Sequence, residues 1–278
     1  MSNQTATVAT TTHKPPSGQK SWLRGVWHFL YQHRRGAGSL VFVLVALEIV
    51  ARYIIDNQLF LASPTRVYQA GVALGRSGEL WTHIYTSGIE FILGFAIASV
   101  VGIAIGALMG LSTTVRAYLE PWVSALYATP IIAIGPLFIL WFGLGITSKV
   151  LLVVVTAIFP VIINTHVGLT NVDQSLHESV RSFGASKWQL FRMVRLPSSL
   201  PFLVAGERLA VARALVGVVV AELFGARAGL GYLILVSAQT FNTANLFVGV
   251  IVLAGSGVIA MAVLQRLEYR LSPWRVRE

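Results

Sequence analysis

The sequence predicts an all-α membrane protein with six transmembrane helices. Of its 278 residues, 55% are hydrophobic and only 12% are charged, about half the charged share of an ordinary soluble domain. Lys149 is the only charged residue from Pro121 to Val172, and none occurs from Ala228 to Gln265. A helix needs about 20 mostly apolar residues to cross a bilayer. These runs are long enough, so the sequence excludes a soluble globular domain.

The six spans follow from the apolar runs. In chain order they lie near Ser39–Ile55, Ile84–Leu111, Pro121–Leu144, Val150–Leu169, Pro201–Phe224 and Asn245–Gln265. The first span is the least apolar, because it contains Glu48 and Arg52. Pro130 and Pro136 predict a kink in the third span, since proline breaks the helical hydrogen-bond ladder. Such a kinked helix either lines a pathway or merely fits the bundle.

The basic residues predict the orientation of the spans. With both termini in the cytoplasm (N-in/C-in), 14 of the 21 lysines and arginines lie inside, and four, Arg66, Arg76, Lys149 and Arg227, lie outside. Positive charge concentrates on the cytoplasmic loops of membrane proteins. The net charge of +10 therefore indicates topology and not a nucleic-acid partner. The chain has no cysteine, which excludes disulfides, thiolate metal sites and cysteine nucleophiles.

Four segments make up the predicted organisation. Residues 1–37 form a cytoplasmic tail, in which residues 21–33 are either a short interfacial helix or a plain tether. Residues 38–78 hold the first transmembrane helix and an outer loop. Residues 79–267 form the transmembrane core, and residues 268–278 form a cytoplasmic tail.

One face of the second span consists of small residues. Every fourth position is small, at Gly94, Ala98, Gly102, Gly106 and Gly110. Such a stripe lets two helix backbones approach closely within a membrane. We therefore interpret it as a packing seam and not as a ligand site.

The connection between the fourth and fifth spans has structure of its own. Asp173 is placed to cap a short helix, and Gly184 stands where that helix ends, a position that favours a left-handed residue. Ser186 and Gln189 form a capping-box pattern for a second short helix, which Pro197 is expected to end. A plain connector needs only a few residues, so this segment is predicted to be an interaction element.

This segment resembles the EAA loop of ATP-binding-cassette (ABC) importer permeases. The pattern of that loop is Glu-Ala-Ala, three residues, Gly, nine residues, Ile, any residue, Leu-Pro. The matching positions are Glu178, Gly184, Leu196 and Pro197, while Ser179 and Val180 replace the alanines and Val194 replaces Ile. The flanking stretches 183–191, 217–225 and 229–234 resemble the nitrate/sulfonate/taurine branch. We call residues 173–197 the EAA-like loop.

The resemblance implies a fold and a set of partners. The fold would be an N-terminal helix plus the five-helix core of a type I ABC importer permease, in the bacterial inner membrane. The partners would be a second permease copy, a cytoplasmic ABC ATPase dimer, an extracytoplasmic substrate-binding protein and membrane lipid. The chain would transport a small anionic solute of the sulfonate, taurine or nitrate kind. The residues implied in ATPase coupling are Glu178, Ser179, Val180, Phe183, Gly184, Leu196 and Pro197.

The chain is not expected to be an enzyme or to bind a cofactor itself. It lacks the Gly-x4-Gly-Lys-Ser/Thr phosphate loop, so ATP would be bound and hydrolysed by the ATPase partner. A secondary transporter or channel that needs no ATP is the alternative, since it would also show six apolar helices. Such a protein has no reason to carry an EAA-like loop, and the sequence shows no internal repeat of the kind common in secondary transporters.

Ionisable residues within the predicted spans are candidates for the pathway, because charges in a membrane are costly. They include Glu90, Glu207, Arg208 and Arg213. Two interpretations are open: the arginines face an anionic solute, or they pair with Glu90 or Glu207 and hold helices together.

Overall fold

The computed structural model describes residues 38–39, 41–55 and 59–271, and no strand occurs in this part of the chain. The chain divides into two compact units, Met1–Asp56 and Asn57–Glu278. In the first unit, α1 covers residues 41–54 and ends in the π-helical turn Val50–Ile54. The predicted interfacial helix at residues 21–33 lies outside the described residues. Within α1, Arg52 Nε lies 2.5 Å from Glu48 Oε1, so the two charges of this apolar segment form an ion pair.

Ten helices are described in the second unit. Their bounds are α2 Pro64–Ser77, α3 Glu79–Leu111, α4 Thr113–Ala128, α5 Ile131–Phe142, α6 Ile146–Thr170, α7 Gln174–Ser182, α8 Lys187–Leu190, α9 Leu196–Gly225, α10 Leu230–Gln239 and α11 Thr243–Leu271. Three of these are long and apolar enough to cross a membrane: α3, α6 and residues Thr243–Glu268 of α11. Two bent pairs, α4 with α5 and α8–α9 with α10, raise the number to five if each pair is one span.

Helix α6 is the centre of this unit. Two thirds of its most apolar window is buried, 67%, against 22% for the window of α3 and 11% for that of α11. Helix α3 packs along one side of α6 and α9 along another. The main apolar core lies between them and includes Ala98, Val153, Ala157, Ala214 and Val218.

The predicted small-residue seam is confirmed, and its partner is α6. A Cβ added at Gly94 would lie 2.5 Å from Val153 Cβ, and one at Gly106 would lie 2.6 Å from the carbonyl oxygen of Ile162. Neither distance is compatible with a side chain, so glycine is required for α3 and α6 to lie this close. Gly217 of α9 meets α6 in the same way, against Thr156. Both neighbours of α6 therefore pack on it through glycine.

The third predicted span is not one kinked helix. It is two helices, α4 and α5, that meet at 98°. Thr129 and Pro130 lie between them in extended conformations, with ψ of 131° and 90°. Pro130 has no N–H to continue the ladder of α4, so α5 starts in a new direction. The proline signal was correct, but its effect is a break and not a bend.

Two further helices were not predicted. Helix α2 lies in the segment interpreted as an outer loop, and Gly78 joins it to α3 with a left-handed φ of +83°. Helix α10 follows α9 after a short turn and has only ten residues. Lys149 was placed in an outer connection by the sequence, but it lies within α6 and is buried.

Candidate functional site

The first half of the EAA-like loop is helix α7. The carboxylate of Asp173 accepts hydrogen bonds from the Ser175 backbone N–H at 2.8 Å and from the Ser175 hydroxyl at 2.7 Å. These hydrogen bonds lower the pKa of Asp173, so the cap stays ionised at neutral pH. The predicted N-cap is thus confirmed, and it fixes where α7 begins.

Gly184 turns the chain after α7. Its φ is +78°, a left-handed conformation that costs about 1–2 kcal/mol for a residue with a Cβ. Its N–H donates to the carbonyl oxygen of Arg181 at 3.0 Å. A Cβ at this position would meet nothing within 4 Å. The need for glycine here is therefore a matter of backbone conformation alone.

The second half of the loop begins with the predicted capping box. The Ser186 hydroxyl accepts from the Gln189 backbone N–H at 3.3 Å, and the Gln189 side-chain oxygen accepts from the Ser186 N–H at 2.8 Å. The expectation that Pro197 ends this helix is wrong. The helix that starts at Lys187 is continuous to Gly225. It passes through a π-helical turn at Phe191–Arg195. Proline is tolerated because Pro197 lies at the start of α9, where the ladder is already irregular.

The surface of the EAA-like loop is apolar and basic. Phe183 is 91% exposed, Trp188 66% and Met193 71%, whereas Leu190 and Val194 of the same segment are buried. Basic side chains are exposed beside these three, at Arg181, Lys187 and Arg192. Exposed aromatic and arginine side chains are typical of protein interfaces.

The other residues assigned to the loop lie on or near this surface. Glu178, Ser179 and Gly184 are exposed, Val180 and Pro197 are partly buried, and Leu196 is 38% exposed. Leu196 and Pro197 belong to the first turn of α9. The loop surface is therefore continuous with a long helix of the core, which gives it a rigid connection to the interior.

A second group of polar residues lies inside the helical unit. Lys149 Nζ of α6 is 3.2 Å from Glu90 Oε1 of α3, and both residues are buried. Removing one partner of a buried ion pair leaves an uncompensated charge, which is strongly destabilising. This pair therefore joins α3 to α6 by charge where the glycine seam ends.

Glu222 is fully buried next to this pair. Its Oε1 accepts from the Ser87 hydroxyl at 2.5 Å, and its Oε2 accepts from the Gly231 N–H at 2.5 Å. Ser87 in turn accepts from the Leu230 N–H at 2.7 Å. Ser87 thus accepts from the first N–H of α10 and Glu222 from the second, and together they hold the turn between α9 and α10.

The sequence contained a signal for this group. His83, Ser87 and Glu90 follow one another at helical spacing on the buried face of α3, and that face continues into the small-residue seam. A polar stripe in line with a packing seam predicts polar contacts between the same helices. Only the partners on α6 and α9 could not be identified from α3 alone.

Of the two interpretations of the arginines, the one in which they pair with Glu90 or Glu207 is wrong in its partners, although Arg208 does pair with a carboxylate of another helix. Arg208 pairs with Glu268 of α11, and Glu207 accepts from the Ser99 hydroxyl at 2.7 Å. Arg213 lies over the ring of Tyr127, with its guanidinium carbon 5.8 Å from the ring centre. Neither arginine therefore contacts Glu90 or Glu207. Partners more than 50 residues apart depend on which helices are neighbours, and the sequence does not show this.

Comparison with known proteins defines the class of this fold. Residues 98–276 match the family described as binding-protein-dependent transport system inner membrane component. The chain belongs to this family, and it is the permease subunit of an ABC importer, a multi-pass protein of the bacterial inner membrane.

Relatives cover nearly the whole chain. SsuC of Bacillus subtilis (strain 168) is 34% identical over 263 residues, 94% of this chain and 91% of the relative. The formylaminopyrimidine transport permease protein ThiX of Halalkalibacterium halodurans is 33% identical, over 89% of this chain and 98% of the relative. The taurine transport system permease protein TauC of Escherichia coli (strain K12) is 32% identical, over 91% and 94% respectively.

Solved structures share the fold at low sequence identity. A chain of the inward-facing MetNI methionine ABC transporter aligns with a TM-score of 0.54 at 20% identity, covering 72% of this chain and 95% of its own length. A chain of an amino acid ABC transporter crystallised with histidines aligns with a TM-score of 0.56 at 18% identity, covering 73% and 97%.

Proposed function

We propose that this permease carries a small anion across the inner membrane, driven by a cytoplasmic ABC ATPase dimer that binds the EAA-like loop. Two copies of the chain would form the pathway, and a substrate-binding protein would deliver the solute from outside. The names of SsuC and TauC, which refer to aliphatic sulfonates and to taurine, support the anionic class. Hydrolysis of ATP would belong to the partner, and this chain would hold no cofactor.

The observation that carries the proposal is the surface of the EAA-like loop. Three large apolar side chains, Phe183, Trp188 and Met193, are exposed there beside basic residues. They lie at the end of α7 and in the first turns of the helix that continues into α9, on either side of a left-handed glycine. A connector that only linked two spans would have no use for such a surface. It suits a protein partner that covers the apolar side chains and supplies acidic groups.

The route from the loop to the interior supports the coupling role. Helix α8 runs without interruption into α9, and α9 packs along the central helix α6. Movement of the loop would therefore displace α9 as a rigid element. A nucleotide-driven change of state needs only that ATP binding favours one arrangement by a few kcal/mol.

Six spans in the N-in/C-in orientation complete the proposal. The second unit has five spans if each bent pair crosses the membrane once. Helix α1 would be the sixth. The EAA-like loop would then face the cytoplasm, where the ATPase is. The 14 basic residues expected inside support this orientation.

A pair of glycine variants tests the coupling role. Gly184→Val forces a branched side chain into a left-handed conformation, which should shift α7 relative to α8. We expect loss of the ATPase from complexes purified through a tag on this chain, and loss of ATP-dependent uptake of radiolabelled taurine. Membrane insertion should be unchanged, because the apolar spans are untouched.

The matched control is Gly78→Val. Gly78 has a similar φ of +83° and also has nothing within 4 Å of an added Cβ, but it joins α2 to α3. This variant should suffer the same local strain and keep the ATPase. If Gly184→Val keeps both the ATPase and uptake, the coupling role of the loop is refuted. Uptake by this chain alone in vesicles without ATP would favour the secondary transporter.

A further inference from the structure

A small cavity lies where α4 breaks from α5, against α6 and α9. Its volume is about 140 Å³, and its lining includes Tyr127, Thr129, Thr156, Phe159 and Arg213. The cavity opens to the surface of the helical unit, because Tyr127, Thr129 and Arg213 are exposed in the single chain. Arg213 is about 25 Å along the helix axis from the start of α9 and about 18 Å from its end. These distances place the guanidinium near the middle of a hydrocarbon layer about 30 Å thick.

Arg213 is exposed in the single chain, unlike the buried or partly buried carboxylates of the spans. Glu90 pairs with Lys149, Glu222 accepts from Ser87 and Gly231, and Glu207 accepts from Ser99. In the described part of the chain, Arg213 has no carboxylate within ion-pair distance and no hydrogen-bond acceptor. Its one described interaction is the contact with the Tyr127 ring. All five N–H donors of the guanidinium remain open.

An exposed arginine at this depth needs a partner other than lipid. Intramembrane arginines face a cavity, water or an opposite charge, because hydrocarbon cannot solvate them. The described carboxylates of a second copy are either engaged or far from this depth. Glu90, Glu207 and Glu222 are bound in the interior, and Glu48, Glu120 and Glu268 pair with arginines of their own chain. The remaining ones lie outside the middle of any span, with Glu79 at the first position of α3 and with Asp173 and Glu178 in the EAA-like loop. The open donors therefore favour a bound anion.

The cavity is built to hold such an anion in one orientation. The Tyr127 ring supports one face of the guanidinium, so its edge is free to bind two oxygens of a planar or tetrahedral oxyanion. The Thr129 and Thr156 hydroxyls already donate to backbone carbonyls, which leaves Arg213 as the donor. Helix α5 starts at the cavity with no side-chain cap, and the positive end of its dipole adds to the attraction.

We infer that Arg213 binds the anionic group of the transported solute, a small sulfonate or carboxylate, at the break between α4 and α5. The inference rests on the proposed function, and it adds the place where the solute is held within the membrane. It also assigns Tyr127 as the residue that positions the guanidinium. The cavity has room for a solute of few atoms, in agreement with a small substrate.

Chemical modification of arginine tests the site directly. The complex purified through a tag on this chain is placed in nanodiscs and treated with phenylglyoxal, and the modified arginines are quantified by mass spectrometry. The probe is methanesulfonate, and its neutral counterpart is dimethyl sulfone of nearly equal shape. We expect saturating methanesulfonate to slow the modification of Arg213 about tenfold, and dimethyl sulfone to have no effect. Arg76, exposed on α2, is the internal control and should be modified equally in all samples.

Variants separate the anion site from a merely structural arginine. Arg213→Gln should abolish taurine uptake while the ATPase still co-purifies, and Arg213→Lys should retain part of it, because the charge remains. Tyr127→Phe keeps the ring and should preserve protection by methanesulfonate, whereas Tyr127→Ala should weaken it.

Three outcomes would overturn the inference. Arg213 could resist phenylglyoxal without any anion, which would mean that a second protein chain covers it. It could react at the same rate with methanesulfonate, or both sulfur compounds could protect it equally, which would exclude recognition of charge. Failure of the proposed function is distinguishable, because the ATPase would then be absent from the wild-type complex.

Discussion

At the scale of single residues, Glu222 has the largest structural task. Glu222 belongs to α9, and its carboxylate accepts hydrogen bonds from the Ser87 hydroxyl of α3 and from the Gly231 N–H in the first turn of α10. Gly229 makes this approach possible, because a Cβ there would overlap the carboxylate and its φ of +127° disfavours other residues. One side chain thus links three helices at the turn between α9 and α10.

Replacing this carboxylate should destabilise the protein. In Glu222→Gln an amide NH₂ faces N–H and O–H donors, so one buried group loses its partner. We expect the free energy of unfolding to fall by about 1–3 kcal/mol, measured by denaturant titration in detergent. The control is Glu120→Gln, since Glu120 pairs with Arg116 on an exposed surface, where such pairs contribute less than about 1 kcal/mol. Equal losses in the two variants would contradict the role of Glu222.

Individual residues were predictable where their partners are close in sequence. The cap of α7 at Asp173 and the capping box of Ser186 and Gln189 could be predicted, because these contacts join residues only two or three positions apart. Arg208 and Glu268 are 60 residues apart, and no local pattern connects them. Charge within a span shows that a partner is needed, but it does not identify which helix supplies the partner.

At the scale of helices, the packing of α3 on α6 depends on the seam of small residues. The two backbones are so close that a methyl group at Gly106 would lie 2.6 Å from a carbonyl oxygen. Small residues at this spacing occur where helices associate in membranes without a hydrophobic driving force. The seam therefore sets the distance between α3 and α6, and the buried Glu90–Lys149 pair depends on that distance.

A pair of alanine substitutions on the same helix tests the seam. Gly106→Ala should separate the helices and lower the free energy of unfolding by about 1–3 kcal/mol through overpacking. Gly88→Ala should be neutral or stabilising by up to about 1 kcal/mol, since nothing lies within 4 Å of its Cβ and alanine favours helix. Denaturant titration of the two variants in the same detergent gives the comparison. If both variants are as stable as the wild type, the close approach of α3 and α6 does not depend on glycine at position 106.

Long apolar helices were predicted more accurately than short ones. Helices α3, α6 and α11 cover the predicted spans and extend beyond them by a few residues. Helix α2 has a polar face, and α10 has only ten residues, so neither produces a long apolar run. The break after Ala128 was missed for another reason: proline permits both a kink and a break, and the packing around it decides between them.

At the scale of the whole molecule, the predicted orientation can be measured without first removing any natural cysteine. The chain contains no cysteine, so single introduced cysteines report their side of the membrane without background. In intact cells, a membrane-impermeant maleimide should label Ser77→Cys, at the end of α2. Ser182→Cys, at the end of α7, should react only after permeabilisation. Both serines are exposed in the single chain. Because Ser182 lies on the surface proposed to bind the ATPase, the labelling is done in cells that make this chain without the ATPase, and a lack of labelling then reflects location.

The opposite labelling pattern would contradict the predicted N-in/C-in orientation, because the EAA-like loop would then lie on the outer side of the membrane. Composition and charge predicted the class of the molecule correctly, because crossing a bilayer imposes requirements on every span. The interior contacts followed from neither, since they depend on how the spans are arranged.

The break between α4 and α5 has a consequence for biogenesis. Thr129 and Pro130 are exposed in the single chain, and an interrupted helix leaves peptide groups that acyl chains cannot solvate. Insertion of the single chain therefore leaves these groups to be satisfied by water or by another protein at the break. A chain that inserts without such a contact should therefore be less stable in the bilayer than the same chain in its assembled transporter.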